Sequence, residues 1–312
     1  MKKTNTPIFF IGGKDRGLSV ITCMLEMNEN LVGGCILNED IHEHEKKSEQ
    51  IEKLLQSKKI PYLLTKSVKT KEQITFIKNR KPKLIVVVGW RSIIPPEVLS
   101  IPVFGCVAIH ESLLPKYRGF APVNWAVING EKQTGTTLFF LDEGLDSGDI
   151  VAQKKIKISL YDSVWDVYKK TSSETLELFK QYLPLLKKNQ APRKKQSEEI
   201  ATYTCARTPN DGLINWNNST LGIYNLIRGL HYPYPGAFTY YKGKKLFIWR
   251  ASIPTQRMYV GRIPGKIVSL IKRIGVEVLT GDGIILLEQV QFENQKKVNA
   301  CEIISSIKDS LG

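Results

Sequence analysis

The chain predicts an α/β fold: a doubly wound, mostly parallel sheet, followed by a small C-terminal β-barrel domain. Three observations predict it. The run Lys83–Gly89, reading KLIVVVG, is apolar without alternation, so both of its faces are buried, as in a parallel sheet. Strand-like and helical segments alternate up to that point. From about Thr202 the pattern changes to short strand-like runs punctuated by glycine. The change places one domain over residues 1–200 and a second over 201–312.

Pro7–Ile11 reads as a buried strand that stops at Gly12-Gly13. A helix follows, with Leu18, Ile21 and Leu25 on one face. Lys14 and Arg16 sit at this strand-to-helix junction. Two cations beside a helix start suit a phosphate, and a plain tight turn accounts for them equally well. Asn30–Leu37 is a second strand. His42 and His44 come next among acidic residues, and no third ligand accompanies them, so no metal site is expected. Ile51–Leu55 belongs to a helix, Ile60–Leu64 to a third strand, and Lys71–Asn79 to a charged helix. The strand Cys106–Ile109 ends at His110. Asp162–Leu185 has helical spacing. Lys187–Glu199 is polar and lysine-rich with Pro192, and reads as an interdomain linker. In the tail, Ser219–Leu230 is a helix and His231–Thr239 a Pro-Gly turn. Lys245–Trp249, Gly265–Ile271, Gly275–Thr280 and Gly283–Val290 are the short strands of an open, OB-like barrel.

The 312 residues, 42% of them hydrophobic, are enough for two cores. A net charge of +15 suggests an anionic partner. The lysines are dispersed, so nucleic acid is permitted without being indicated, and solubility is a competing explanation. The five cysteines fit no zinc spacing and read as free thiols in a reducing cytoplasm. No apolar run approaches the roughly 18 residues of a membrane span. The expected location is cytoplasmic, and nothing indicates an oligomeric state.

Ligands of doubly wound sheets bind beyond the carboxyl ends of the strands. That rule brings together Trp90, His110 and the loop Asp142–Asp149. A histidine at a strand end and a loop aspartate suit general acid/base work. The structural alternative is a packed histidine and an ordinary Asp-Gly turn.

The motifs narrow the choice. Ile109-His110-Glu111-Ser112-Leu113-Leu114-Pro115-Lys116-Tyr117-Arg118-Gly119 and Asp142-Glu143-Gly144-Leu145-Asp146-Ser147-Gly148 resemble the formyltransferases that use 10-formyltetrahydrofolate. That family's signature is Asn-x-His, Ser-Leu-Leu-Pro, a basic residue, Tyr-Arg-Gly, and a later Asp-x-Gly-x-Asp-x-Gly. Arg207-Thr208-Pro209, Asn215-Trp216, Pro233–Phe238 and Gly281-Asp282-Gly283 extend the likeness over nearly the whole chain. The resemblance implies that His110 polarises the formyl oxygen, while Asp146 orients His110 and accepts the amine proton. It implies a folate held by Val88, Gly89, Trp90, Arg91, Ile94, Leu113, Asp142 and Gly144, with Trp90 equally suited to core packing. Ala108 stands where the family has its asparagine. That asparagine would be an oxyanion donor, and loss of one such donor costs about 10²–10³ in turnover. The expectation is a folded, ligand-competent but impaired enzyme. The otherwise intact signature favours a deliberate exchange at this position over a natural loss.

Ala121–Trp125 and Pro235–Thr239 look closest to the family members that formylate nucleotide-linked amino sugars. The first expectation for the acceptor is therefore such a sugar, a 4-amino-4,6-dideoxy hexose. Lys14, Arg16, Ser112, Lys116, Tyr117, Arg118 and Asn124 would serve it. Methionyl-tRNA formyltransferases share the two-domain plan but carry a basic insertion where Asn38–Ile51 is acidic and mixed, so tRNA ranks second. A formyl-folate hydrolase, with water in place of the amine as nucleophile, and a non-catalytic relative that binds folate or a nucleotide sugar are the remaining readings.

Overall fold

The structure, a computed structural model, describes residues 5–39 and 46–312. His42 and His44, and with them the reading of that pair, lie outside the described residues. The chain groups into two compact units. One comprises Met1–Gly119, Gly135–Ile156 and Lys170–Tyr203, the other Phe120–Thr134, Lys157–Lys169 and Thr204–Gly312.

The first unit is built on a seven-stranded sheet. Its strands are β1 (Ile8–Gly12), β2 (Leu31–Leu37), β3 (Tyr62–Thr65), β4 (Leu84–Val88), β5 (Cys106–His110), β7 (Gln133–Phe140) and β8 (Ile150–Lys157). They lie in the order β3-β2-β1-β4-β5-β7-β8. The pairs up to β4–β5 are parallel, and β7 runs antiparallel to β5. The helices α1 (Lys14–Glu26), α2 (Ser48–Ser57), α3 (Lys71–Lys78) and α4 (Pro96–Leu99) connect the parallel strands. The doubly wound expectation holds, with the antiparallel β7 as an addition.

The unbroken apolar run in β4 works on two faces. Leu84, Val86 and Val88 join one cluster with Val20, Ile21 and Met24 of α1 and with Phe179 and Leu183. Ile85 and Val87 join another with Ile77, Ile94 and Val98. β5 divides in the same way: Val107 faces the first cluster, Cys106 and Ala108 the second. Alternation along a strand therefore puts Ala108 and His110 on one face. Burial pushes the Cys35 and Cys106 thiols up to about 12, so both are inert. Cys205, by contrast, is exposed.

Two short strands, β6 (Arg118–Gly119) and β9 (Tyr203–Thr204), form a separate pair. The helix α5 (Pro122–Ile128) precedes β7, and α6 (Val164–Leu186) follows β8.

The second unit contains α7 (Thr220–Gly229), the strands β10 (Ala237–Tyr241), β11 (Lys244–Ser252), β12 (Ile267–Ile271), β13 (Gly275–Leu279), β14 (Ile284–Phe292) and β15 (Val298–Asn299), and α8 (Ala300–Ile303). Its sheet is antiparallel, in the order β10-β11-β14-β13-β12, with β15 beside β14. Ile223 and Ile227 of α7 share a buried cluster with Leu246, Ile248, Val276 and Leu287.

The signature phrases of this half have structural work. The Trp216 indole N–H donates to Thr239 Oγ1 at 3.0 Å, and both residues are buried. Asp282 Oδ1 accepts from the Thr220 N–H at 2.7 Å and from its hydroxyl at 2.9 Å, tying the start of α7 to the turn before β14. These bonds hold the Asp282 carboxyl below the usual carboxylate range. Asn124, expected to bind substrate, is 3% exposed and donates through Nδ2 to the Gly229 carbonyl at 2.9 Å. It satisfies the open end of α7 instead, so its assignment to substrate is corrected.

Candidate active site

His110 is the last residue of β5, opposite Thr137 of β7, and it is 7% exposed. Its Nε2 lies 2.7 Å from the Tyr117 carbonyl oxygen. A carbonyl can only accept, so Nε2 carries the hydrogen and donates. Nδ1 faces Asp146 Oδ2 at 3.5 Å. The same oxygen accepts the Gly119 N–H at 2.8 Å. Of the two ring nitrogens, Nε2 bonds to the backbone and Nδ1 faces the carboxylate.

Two unusual backbone conformations make this geometry. Tyr117 has φ 61 and Asp146 φ 51, both left-handed. That conformation costs about 1–3 kcal/mol for a residue such as tyrosine. The Tyr117 N–H donates to Thr202 Oγ1 at 2.9 Å, which helps to hold the turn. Asp142 Oδ1 accepts from the Gly144 N–H at 3.1 Å and from Ser147 Oγ at 2.8 Å, closing the aspartate loop on itself.

Gly148 explains the last glycine of the signature. A Cβ there would lie 1.9 Å from the Phe140 carbonyl oxygen. Gly148→Ala is expected to displace the loop that carries Asp146. The expected loss is about 1–3 kcal/mol of stability, to be read by denaturant unfolding, with a fall in turnover beside it.

The loop after β4 is equally crowded. Gly89 has φ 67, and a Cβ there would lie 2.2 Å from the Gly13 carbonyl oxygen. Val88 and Ile94 are buried in the sheet clusters, so only their backbone could meet a ligand. Trp90 packs against the cluster that contains Ala108. The Trp90 indole nitrogen and the Ser92 hydroxyl are buried without a hydrogen-bond partner among the described residues. Arg91 and Gly144 are exposed, and Leu113 is half-buried against Gly135.

Several residues expected at a phosphate are engaged elsewhere. Arg118 is 1% exposed. Its guanidinium donates to Glu198, Gln196 and the Tyr203 hydroxyl, and the Glu198 partner raises its pKa. Arg16 pairs with Glu111 and donates to Thr171 Oγ1 at 3.0 Å. Ser112 is buried, and its hydroxyl donates to the Lys116 carbonyl at 2.6 Å. These three hold the framework, which corrects their assignment to substrate. Lys116 is exposed, while Lys14 and Tyr117 are half-buried.

The linker reading of Lys187–Glu199 is also corrected. Lys194 and Ile150 exchange backbone hydrogen bonds of 2.8 and 2.9 Å. Gln196 and Glu198 bond to signature residues. Sequence reading also missed Thr137 and Gln153. Thr137 Oγ1 donates to the Ser112 carbonyl at 2.7 Å, and Gln153 Nε2 donates to the Leu114 carbonyl at 2.8 Å. Nothing in the sequence singles them out: β7 also carries Gln133, Thr134 and Thr136, and β8 also carries Lys154, Lys155 and Lys157.

Fold and site together define a two-unit α/β enzyme with a histidine–carboxylate pair at the carboxyl edge of its sheet. The chain belongs to the formyl transferase family: residues 9–183 match "Formyl transferase" and residues 207–308 match "Formyl transferase, C-terminal domain". Methionyl-tRNA formyltransferase of Desulforamulus reducens is 36% identical over 254 residues, covering 81% of this chain and 79% of its own. The enzyme of that name from Clostridioides difficile is 32% identical over 299 residues, covering 95% and 96%. Among solved structures, an N-formyltransferase from Helicobacter canadensis in complex with folinic acid and dTDP-3-aminofucose superposes with a TM-score of 0.69. It is 18% identical and covers 92% of this chain and 100% of its own, a likeness of fold.

These relatives reverse the expected order of acceptors. Identity above 30% over most of the chain lies with methionyl-tRNA formyltransferases, whereas the structure in complex with dTDP-3-aminofucose stands at 18%. The preference for a nucleotide-linked amino sugar over tRNA is therefore corrected. Its sequence basis at Ala121–Trp125 weakens for a physical reason as well, because Asn124 is a buried structural residue.

Proposed function

We propose that this chain transfers a formyl group from 10-formyltetrahydrofolate to the amine of methionyl-tRNA, at a rate limited by Ala108. The observation that carries the acceptor is the identity of 32% to the Clostridioides difficile methionyl-tRNA formyltransferase across 95% of the chain. The net charge of +15 suits a polyanionic partner. The folate donor is supported by the family and by the loop after β4. There the unpartnered Trp90 N–H and Ser92 hydroxyl fit a polar heteroaromatic ring. Val88, Gly89, Arg91, Ile94, Leu113, Asp142 and Gly144 complete the proposed folate site.

In this reading the Nδ1 side of His110 faces the reacting carbonyl. The methionyl nitrogen would bond to the formyl carbon as that carbon's bond to N10 of the folate breaks. The amine proton taken by Asp146 would pass on to N10 so that tetrahydrofolate leaves. The Tyr117 carbonyl keeps the ring in one orientation throughout. Ala108 lies on the same face of β5 as His110 but offers no donor to a developing oxyanion.

The test combines binding with transfer. Affinity for charged initiator tRNA is expected to fall by at least about tenfold between about 50 and about 200 mM salt. Formylation of that tRNA should follow in the Ala108→Asn form. Salt-independent binding, or formylation of a small amine and not of tRNA, would overturn the acceptor and leave the fold and family untouched.

A further inference from the structure

Gln196 lies in the segment that reads as a linker, yet every hydrogen-bonding site of its side chain is used. Nε2 donates to the carbonyl oxygens of Asp146 and Gly148, each at 2.8 Å. Oε1 accepts from Arg118 Nε at 3.1 Å and Nη2 at 2.9 Å. The next residue after Arg118 is Gly119, whose N–H holds Asp146 Oδ2 at 2.8 Å. One amide therefore grips the backbone of the aspartate loop and the short strand that presents the carboxylate's anchor. The Lys194–Ile150 backbone pair brings the segment against the end of that loop.

We propose that Gln196 is a positioning residue for Asp146 and, through it, for the Nδ1 side of the His110 ring. Asp146 sits in a left-handed conformation (φ 51) outside any strand or helix, so its carbonyl depends on an external donor. A glutamine supplies paired donors and an acceptor on one arm. Glutamate at this position would still accept from Arg118, but it would aim an oxygen at two carbonyl oxygens. The two halves of the role can thus be separated by one substitution.

The proposal rests on the reading of His110 and Asp146 as the reacting pair. The test uses the full chain labelled with ¹⁵N in its histidine rings. The chain has four histidines, so His110 can be assigned with a His110→Gln control. In Gln196→Glu and Gln196→Ala the His110 Nδ1 resonance is expected to move, while Nε2 stays, because the Tyr117 carbonyl does not hang on Gln196. In the Ala108→Asn background, kcat for formyl transfer is expected to fall about ten- to a hundredfold with KM for the formyl donor nearly unchanged. Gln196→Glu is expected to fold and to melt lower than the parent, because both carbonyl bonds are lost while Arg118 keeps its acceptor. If Gln196→Ala does not fold, Gln196→Glu decides. A Gln196→Glu protein with an unmoved Nδ1 signal and parental kcat would overturn the proposal and leave the amide as an anchor for Arg118 alone. A moved Nδ1 signal without formyl transfer in any form would uphold the positioning and sink the functional reading instead.

Discussion

Replacing Ala108 by asparagine is expected to raise the rate of formyl transfer by about 10²–10³-fold, the usual worth of one oxyanion donor. The geometry places the new side chain well. Residues 108 and 110 share one face of β5, two positions apart on the strand. Ala108 is 8% exposed, in the same cluster as Ile94 and Trp90. An asparagine amide there would project beside His110 toward the proposed folate site. The gain should appear in kcat, with KM for both substrates little changed, because the developing oxyanion exists only in the transition state. A polar group in this apolar layer also carries a cost of about 1–3 kcal/mol when it has no partner. The Ala108→Asn protein is accordingly expected to melt lower than the parent, by a similar margin with and without the formyl donor. Equal turnover in the two forms would show that this chain works without a donor at position 108.

Asp146→Asn in the Ala108→Asn background is expected to lower kcat by about 10²–10⁴, the range of a general acid–base contribution. The substitution keeps the shape. The amide oxygen can still accept the Gly119 N–H, now at 2.8 Å from Oδ2. The atom that keeps this bond is also the one that faces His110 Nδ1, so the amide NH₂ does not replace it there, while the ring remains pinned by the Tyr117 carbonyl at 2.7 Å. The site then stays hydrogen-bonded but has lost its proton acceptor. Stability should hold while turnover collapses. A parental rate would remove Asp146 from the chemistry, and a large loss of stability would make it a structural residue.

The parallel sheet was legible because β4 is apolar at every position, which only burial on both faces explains. His110 and Asp146 were legible from their motifs, and they do meet at 3.5 Å. Charge was misleading. Arg16 and Arg118 look like phosphate ligands in one dimension, but each finds a carboxylate partner in the folded chain. Glu111 neighbours His110 in sequence and pairs with α1, whereas Glu198 reaches Arg118 from a segment far along the chain. The polar composition of that segment correctly places much of it at the surface and says nothing of the two carbonyls that Gln196 grips.

The sequence by itself determined the α/β layering, the switch to short antiparallel strands, the family, and the missing asparagine at Ala108. Those properties reside in local periodicity, in motif spacing and in residue identity. Tertiary structure alone decided which nitrogen of His110 faces Asp146, which cations are already paired, and what holds Asp146 in place. These depend on hydrogen bonds between residues distant in sequence, such as Gln196 to Asp146 and Arg118 to Glu198. A hydrogen bond's direction and partner are set by where two backbones converge, and no periodicity in the chain encodes that convergence.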